Sequence, residues 1–216
     1  MAHKKLQLDS KQLSEITHRT IRHYDDNAER FHEGTHDHDV SQNIEALLRH
    51  INQNSPLDIL DLGCGPGRDL LHFKSLGHEP VGLDGAQHFC EMARAISECP
   101  VLHQNLLALD LPESKFDGIF ANAVMFHVPS QELPNVLNAL FTSLKPEGVF
   151  FSSNPRGENQ EGWQGDRYGS YHNLSQWRHY LTQTGFIELE HYYRPKGLPR
   201  QQQPWLASVW RKPAVI

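Results

Sequence analysis

The chain has 216 residues, of which 38% are hydrophobic and 21% charged, and these fractions are typical of one soluble globular domain. Its formal net charge of −6 at pH 7 provides no overall basic field, which argues against nucleic acid as a partner. No segment approaches the ~18 apolar residues of a membrane span, and residues 1–10 lack the apolar core of a signal peptide. The three cysteines (Cys64, Cys90 and Cys99) form no paired framework and no Cys-x-x-Cys motif, so a reducing cytoplasm is expected.

The first helical pattern lies in residues 10–31. Its apolar and aromatic side chains recur at rough helical spacing and form a one-sided stripe, which predicts an amphipathic helix packed on the edge of the domain. The stripe consists of Leu13, Ile16, Thr17, Ile21 and Tyr24.

Residues 32–39 (HEGTHDHD) are polar and rich in histidine and carboxylate. Imidazole and carboxylate groups are ligands of first-row metals, so a metal site is one interpretation of this segment. No distant part of the chain supplies a matched set of further ligands, and the 15 histidines are spread along the whole sequence. We therefore predict a solvated loop here and no metal site.

An apolar run at residues 59–62 ends in glycines and leads directly into a helical pattern, so that residues 59–70 read ILDLGCGPGRDL. This is the strand, tight turn and helix of a nucleotide-type site, with glycines where a side chain would block a ligand. A second apolar run at 80–83 ends in Asp84, about 20 residues on, where a carboxylate accepts hydrogen bonds from ribose. The third glycine of a dinucleotide site would fall at Arg68, and no Gly-Lys-Ser/Thr follows, which excludes a P-loop.

Strand and helix patterns alternate through the rest of the chain. Strands are predicted near 59–62, 80–84, 101–103, 116–122, 149–153, 186–193 and 205–210, and helices near 40–51, 70–76, 89–96, 134–144 and 174–184. The first of these helices should stop at 54–56 (NSP). The alternation predicts an α/β fold with three layers, doubly wound around a mostly parallel seven-stranded sheet whose last strand is antiparallel.

No linker or internal repeat divides the sequence, so a single domain, 1–216, is expected. Within it we expect an N-terminal helical cap at 1–52, a cofactor-binding core at 53–153, and a substrate lid with C-terminal strands at 154–216.

Residues 61–67 (DLGCGPG) resemble motif I of the class I S-adenosylmethionine-dependent methyltransferases. Further matches follow in the family's order: the acidic residue Asp84, residues 105–106 (NL), residues 116–117 (FD) and residues 144–146 (LKP). Glu147 stands where the family has the first glycine of Leu-Lys-Pro-Gly-Gly. We expect the turn to form nonetheless, with Gly148 in a conformation of positive φ.

The resemblance implies a Rossmann-like fold, S-adenosyl-L-methionine as cofactor and S-adenosyl-L-homocysteine as product. It also implies that the N-terminal helices fold over the cofactor, with Tyr24 at its methionine end. Asn105 would face the adenine amino group, in place of the family's frequent aspartate, and Leu106 would pack on the ring. The cofactor-binding residues predicted in this way are Tyr24, Asp61, Gly63, Cys64, Gly65, Asp84, Gly85, Asn105, Leu106 and Asn122.

The acceptor side of the site is predicted from the segments after the fourth and fifth strands. His127 is a candidate general base because imidazole titrates near neutral pH, although a structural or cofactor-packing role is the alternative. Residues 154–172 form a connection far longer than the ~4–6 residues usual in compact domains, and we interpret it as a substrate lid, with a surface loop that carries incidental aromatic residues as the alternative. In it, Arg167 is a candidate partner for a substrate carboxylate, and Tyr168 and Tyr171 are candidates for the aromatic wall.

The function predicted from the sequence is S-adenosylmethionine-dependent methyl transfer to a small-molecule acceptor. Methylation of a tRNA base or a protein side chain is one alternative, and a non-catalytic cofactor-binding protein, with the site blocked by Met125 or Phe126, is another. The Asp/Asn-Pro-Pro-Tyr/Phe signature of amino-methylating enzymes is absent after the fourth strand. The identity of the acceptor, the atom methylated, the need for a base and the oligomeric state stay open.

Overall fold

The computed structural model of the chain describes residues 7–52 and 56–214. Most of the predicted helix stop at 54–56, the boundary at 52/53 and residues 1–6 lie outside the described residues. The helices are α1 (Ser10–Asp26), α2 (Ala28–Thr35), α3 (Ser41–Leu48), α4 (Arg68–Ser75), α5 (Gln87–Ser97), α6 (Leu133–Ser143) and α7 (Leu174–Thr184). The strands are β1 (Asp58–Leu62), β2 (Glu79–Asp84), β3 (Val101–His103), β4 (Phe116–Asn122), β5 (Leu144–Pro155), β6 (Gln160–Gln164), β7 (Arg167–Tyr171), β8 (Ile187–Arg194) and β9 (Trp205–Arg211).

Seven of these strands form one sheet in the order β3-β2-β1-β4-β5-β9-β8. Strands β1 to β5 pair in parallel, whereas β9 runs antiparallel to both of its neighbours, β5 and β8. The predicted fold class is therefore confirmed. The strand order reverses between β1 and β4, and the crevice at the carboxyl ends of the strands at such a point is where open α/β sheets bind ligands.

The central strands are buried on both faces of the sheet, which explains why they read as continuous apolar runs. On one face, Ile59 and Phe120 pack with Leu47 of α3 and Phe73 of α4. On the other face, Leu60, Leu62 and Ile119 pack with the apolar sides of α6 and α7. These two layers hold β1 and β4 rigidly and so fix the position of the loops that follow them.

The N-terminal segment forms two helices where the sequence predicts one. Helix α1 begins at a capping box in which the Asp9 side chain accepts from the Gln12 amide (2.8 Å) and the Gln12 side chain accepts from the Asp9 amide (2.9 Å). It ends at Asn27, whose side-chain amide donates to the His23 carbonyl and so competes with the helical backbone. Helix α2 then continues to Thr35, so the solvated loop expected at 32–39 is wrong for its first half.

The long connection at 154–172 is also more regular than predicted. Strands β6 and β7 pair as an antiparallel hairpin, which forms a separate two-stranded sheet. The hairpin is fastened to α1, because the Arg19 guanidinium donates to Asp166 Oδ1 (2.8 and 3.1 Å) and the Tyr168 amide donates to Thr20 Oγ1 (3.1 Å). This segment is thus a folded hairpin that packs on α1 and on the turn at 125–127.

Two further points concern the C-terminal part of the sheet. The positive φ of the turn before the buried part of β5 is at Glu147 (φ 65°), so the expectation that Gly148 would adopt it is wrong. Gly148 is instead required by close packing, because a Cβ there would lie 2.8 Å from the Lys145 carbonyl oxygen. Within residues 7–52 and 56–214, no helix has the length and apolar content needed to cross a membrane.

Candidate functional site

A cavity of about 800 Å³ opens at the carboxyl ends of β1, β2 and β4. Helices α1 and α2 and strand β7 cover it, and the ends of β8 and β9 contribute Arg194 and Trp205 to its wall. Most of the predicted site residues line this cavity, namely Tyr24, Gly63, Cys64, Gly65, Asp84, Gly85, Asn105, Leu106, Asn122, His127 and Arg167. Of the predicted set, Asp61, Tyr168 and Tyr171 do not contribute to the wall in the described part of the chain.

The glycine turn after β1 approaches its neighbours too closely for a side chain at its first position. Gly63 has a φ of 70°, and a Cβ there would lie 2.4 Å from the Val124 side chain. The Gly63 amide donates to the Leu83 carbonyl (2.7 Å), which holds the turn against the end of β2. The turn therefore presents bare backbone to the cavity.

Asp84 connects the loops that follow β1 and β2. Its Oδ2 accepts from the Gly65 amide (3.0 Å) and its Oδ1 accepts from the Ala86 amide (2.9 Å). Burial raises the pKa of Asp84, while these backbone donors act in the opposite direction. A carboxylate has about four lone-pair sites, so Asp84 still has the capacity to accept a hydrogen bond from a ligand.

Asp61 lies at the end of β1, beneath the glycine turn. Its side chain is buried, and its Oδ2 has no hydrogen-bond partner among the described residues. Burial, followed by the nearby charge of Asp69, raises the pKa of Asp61 well above its usual range. A buried carboxylate of this kind is a site at which a cationic group would be stabilised.

Arg68 follows the glycine turn, at the position where a dinucleotide site has its third glycine. Its Nε and Nη2 donate to the two carboxylate oxygens of Asp69 (2.7 and 2.9 Å), and its Nη1 donates to the Thr35 carbonyl (2.9 Å). This arginine therefore joins the start of α4 to the end of α2 and forms part of the cavity wall.

Two asparagines at the ends of strands have structural partners as well as a position in the wall. The Asn105 side-chain oxygen accepts from the Leu107 amide (2.9 Å), which caps the short 3-10 turn at 106–108. Asn122 Oδ1 accepts from Asn43 Nδ2 (2.9 Å), and Asn43 Oδ1 accepts from the Tyr192 hydroxyl (2.9 Å). Asn43 is fully buried, so this chain of bonds fixes the floor of the cavity.

His127 is held through both of its ring nitrogens. Its Nδ1 lies 2.7 Å from the Tyr168 carbonyl oxygen, and its Nε2 lies 2.7 Å from the Tyr24 hydroxyl. Because a carbonyl oxygen can only accept, Nδ1 carries the proton and Nε2 accepts from Tyr24. Burial, opposed by the hydrogen bond to the Tyr168 carbonyl and reinforced by the charge of Arg167, lowers the pKa of His127 to about 4. These contacts favour a structural role for His127 over that of a general base.

Arg167 reaches the same end of the cavity from β7. Its Nη1 donates to the Tyr24 hydroxyl (3.4 Å), and its guanidinium lies 5.8 Å from the centre of the Tyr24 ring. Tyr168 faces the other way and packs edge-on against Trp163 (5.6 Å between ring centres). Burial and then the Glu161 charge raise the pKa of Tyr168 to about 12. The expectation that Tyr168 and Tyr171 form the aromatic wall is therefore wrong, whereas Arg167 lies where it was predicted.

Several wall residues were missed or assigned to solvent by sequence reasoning. His32 of α2 and the two histidines that follow this helix, His36 and His38, line the cavity. Phe31 and Phe126 add aromatic surface. The histidine-rich composition was a visible signal, but the sequence contains nothing that places α2 over the sheet. Among the described residues, no group of three or more His, Cys, Asp or Glu side chains has the arrangement of a metal site.

The strand order, the glycine turn and Asp84 together define a Rossmann-like domain with a crevice beside β1. Residues 59–148, which contain this crevice, match the family model of a methyltransferase domain. Over the residues that form this crevice, the chain is therefore similar to methyltransferase domains.

Individual relatives are more distant. The chain is 29% identical over 158 residues to trans-aconitate 2-methyltransferase of Yersinia pestis, which covers 68% of this chain and 58% of that protein. It is 26% identical over 130 residues to sterol 24-C-methyltransferase of Candida albicans, which covers 56% of this chain and 34% of that protein. The chain thus spans between a third and three fifths of the length of these relatives.

The fold is similar over its whole length to a solved structure. This is the 1,6-didemethyltoxoflavin-N1-methyltransferase of Burkholderia thailandensis, which was solved with 1,6-didemethyltoxoflavin and S-adenosylhomocysteine bound. The TM-score is 0.77 at 18% identity, and the match covers 99% of this chain and 98% of that chain.

Proposed function

We propose that this chain transfers the methyl group of S-adenosylmethionine to a small-molecule acceptor. The observation that carries the proposal is the contact between the glycine turn and Asp84. The Gly65 amide donates to Asp84 Oδ2 (3.0 Å), and both residues line one end of a covered cavity. The rest of the cavity, between Tyr24, His127 and Arg167, leaves space beside that position for an acceptor.

The residues at the glycine turn fit the proposed cofactor. Asp84 has lone pairs free for ribose hydroxyls, and Leu106 offers apolar surface beside Asn105 for the adenine ring. The buried, unpartnered Oδ2 of Asp61 matches the positive charge of the methionine ammonium group. This match is why we keep Asp61 among the proposed cofactor residues although it does not line the cavity.

The chemistry of the proposed reaction is supplied mainly by the cofactor, whose methyl group is activated by a sulfonium charge. The chain therefore has to align the acceptor and exclude water rather than provide covalent catalysis. Alignment of two reactants in one site contributes up to ~7–11 kcal/mol in favourable cases. Helices α1 and α2 and the β6–β7 hairpin cover the cavity and would perform both tasks.

A small acceptor is favoured over a tRNA base or a protein side chain by charge and shape. The net charge of −6 provides no overall attraction for RNA, and the acceptor end is roofed by α1 and β7. The relatives named for trans-aconitate and for 1,6-didemethyltoxoflavin act on small molecules, which agrees with this proposal. A blocked, non-catalytic site is disfavoured because the Met125 side chain is buried in the core and Phe126 lines a cavity of about 800 Å³.

We further propose that the protein works in the cytoplasm. The support is that Cys64, Cys90 and Cys99 are all free thiols buried in the fold, as a reducing compartment allows.

The test is incubation of the protein with methyl-labelled S-adenosylmethionine and either a small-metabolite extract, total tRNA or a protein lysate. We expect label to enter the small-metabolite fraction alone, and we expect Asp84→Ala to abolish its entry. Label found only in tRNA or only in protein contradicts the small-molecule proposal. Binding of the cofactor without label in any fraction contradicts methyl transfer itself.

A further inference from the structure

We propose that the acceptor is an organic acid and that Arg167 binds its carboxylate. This inference rests on the proposed function and narrows the class of acceptor. It follows from the balance of charges in the cavity wall, from the way Arg167 is held, and from the side of the cavity on which it lies.

Three arginines line the cavity, and they differ in their partners. Arg68 forms a two-point ion pair with Asp69 (2.7 and 2.9 Å). Arg194 donates through Nη2 to the Asp39 carbonyl oxygen (3.2 Å). Arg167 makes a single long hydrogen bond to the Tyr24 hydroxyl (3.4 Å), and no carboxylate of the described chain forms an ion pair with it. It is therefore the cation at the covered end of the cavity whose charge the chain itself leaves unbalanced.

The acidic residues of the wall do not compensate for that charge. Asp69 is neutralised by Arg68, Asp39 accepts from the Ser41 amide and interacts with Arg194, and Asp84 is held by the Gly65 and Ala86 amides. Since a guanidinium stays charged at any physiological pH, a partly buried one is stabilised by an anion supplied from outside the chain. A carboxylate is the anion whose two oxygens match the fork of guanidinium donors.

The position of Arg167 is fixed from both sides, as a binding residue requires. It is the first residue of β7, and the neighbouring Asp166 and Tyr168 are both bonded to α1, through Arg19 and Thr20. The Tyr24 hydroxyl donates a hydrogen bond to His127 Nε2, so the hydroxyl oxygen remains available to accept a hydrogen bond from Arg167. One N–H donor of the Arg167 guanidinium is thus used to orient the group on Tyr24, and its other N–H donors stay free for a ligand.

A carboxylate at Arg167 has two possible sources, because the cofactor carries one as well. Arg167 belongs to the hairpin between β5 and α7, which packs against α1 and the turn at 125–127. Of the residues assigned to the cofactor, Gly65 and Asp84 are joined to each other at the ends of β1 and β2, where Arg68 is the neighbouring cation. Tyr24 is the one cofactor residue that Arg167 contacts, and it does so through its hydroxyl. We therefore assign Arg167 to the acceptor, and the experiment separates the two sources.

The experiment measures methyl transfer and cofactor binding in the same variants. Arg167→Gln removes the charge, Arg167→Lys retains it without the forked geometry, and Arg22→Gln removes an equal charge from an exposed position of α1 outside the cavity wall. The acceptor probe is a metabolite extract divided by anion exchange into retained and unretained fractions. Part of the retained fraction is treated so that its carboxylates become amides while its phosphates survive.

We expect wild type and Arg22→Gln to label the retained fraction and to lose this activity when the carboxylates are amidated. Arg167→Gln should lower the transfer at least tenfold, Arg167→Lys less, and neither should change the affinity for S-adenosylhomocysteine in calorimetry more than about twofold. That affinity also reports that the variants are folded.

Three results overturn the inference while leaving methyl transfer intact: acceptors found only in the unretained fraction, acceptors that survive amidation, or full transfer by Arg167→Gln. A tenfold loss of S-adenosylhomocysteine affinity in Arg167→Gln assigns the arginine to the carboxylate of the cofactor instead. Absence of label with wild type and every fraction contradicts the proposed function, and the inference with it.

Discussion

The hydroxyl oxygen of Tyr24 lies 2.7 Å from Nε2 of His127, and this hydrogen bond joins helix α1 to the turn that follows β4. Nδ1 donates to the Tyr168 carbonyl, and the lowered pKa keeps the imidazole neutral near pH 7, so that Nε2 accepts from Tyr24. This hydrogen bond is one of the contacts that join α1 to the Rossmann-like core, and its strength depends on the protonation state of His127.

The first prediction concerns the pH dependence of stability. The pKa of His127 is about 4 in the folded protein, against 6.5 for an ordinary histidine. Between pH ~4 and pH ~6.5 the unfolded chain binds more protons than the folded chain. The contribution of neutral His127 to the free energy of unfolding is therefore complete above pH ~6.5 and falls as the pH drops towards ~4. In urea unfolding, the free energy of unfolding of wild type should fall between about pH 7 and about pH 5 by up to about 2 kcal/mol more than that of His127→Gln. Equal losses in both proteins contradict the buried, neutral imidazole.

The second prediction concerns the glycine turn. Gly67 has a φ of 96°, and a Cβ there would lie 2.8 Å from the Ala93 Cα, which belongs to the backbone of α5. Gly77 also has a positive φ (82°), but nothing lies within 4 Å of its Cβ position. Gly77→Ala should cost about 1 kcal/mol for conformation alone, and Gly67→Ala at least about 2 kcal/mol because helices α4 and α5 must also separate. Equal losses in thermal unfolding contradict this account of the close approach.

The third prediction concerns the buried Asn43, which bonds to Asn122 on one side and to Tyr192 on the other. Asn43→Ala should lower the free energy of unfolding by about 1–3 kcal/mol, because it leaves both partners buried without their bond. Glu45→Ala, at an exposed position of the same helix, serves as the control and should change stability by less than about 0.5 kcal/mol. Chemical denaturation measures both variants, and a neutral Asn43→Ala contradicts the network.

The fourth prediction concerns the contact between the hairpin and α1. The Arg19–Asp166 ion pair (2.8 Å) is exposed, with 46% and 63% of the two side chains accessible, although Arg19 also lies 4.5 Å above the Trp163 ring. Exposed pairs contribute little, so Arg19→Ala should lower global stability by less than about 1 kcal/mol. Hydrogen exchange in β6 and β7 should nevertheless become faster, because the hairpin lies outside the main sheet. Unchanged exchange in the hairpin contradicts its attachment through Arg19.

The main sheet was predictable because its central strands are buried on both faces and therefore carry continuous apolar runs. The hairpin was not, because β6 reads QEGWQ, which shows neither alternation nor an apolar run. Its place is set by contacts that span almost 150 residues, such as Arg19 to Asp166, and local patterns hold no information about them. The break at Asn27 escaped prediction for a different reason: the side chain that ends α1 sits within an otherwise helical pattern.

The candidate site, like the fold, was predictable only in part. Asp84 lies at the end of β2, as its spacing from the glycine turn predicts, because one helix and one strand determine that spacing. Tyr168 and Tyr171 were misplaced because residues treated as a loop turned out to be a strand, in which Arg167 and Tyr168 point to opposite sides. Tyr171 shares the face of Arg167, but its hydroxyl lies over Gly169, where a Cβ would approach it to 2.3 Å.

The central claim is that the crevice beside β1 binds an adenosyl cofactor through Asp84. It is tested most directly by calorimetric titration of S-adenosylhomocysteine into wild type, Asp84→Ala, and the control Asp110→Ala, which removes an exposed carboxylate outside the cavity wall. We expect micromolar-range binding by wild type and the control, and at least tenfold weaker binding by Asp84→Ala. No binding by wild type, or equal binding by all three proteins, contradicts it.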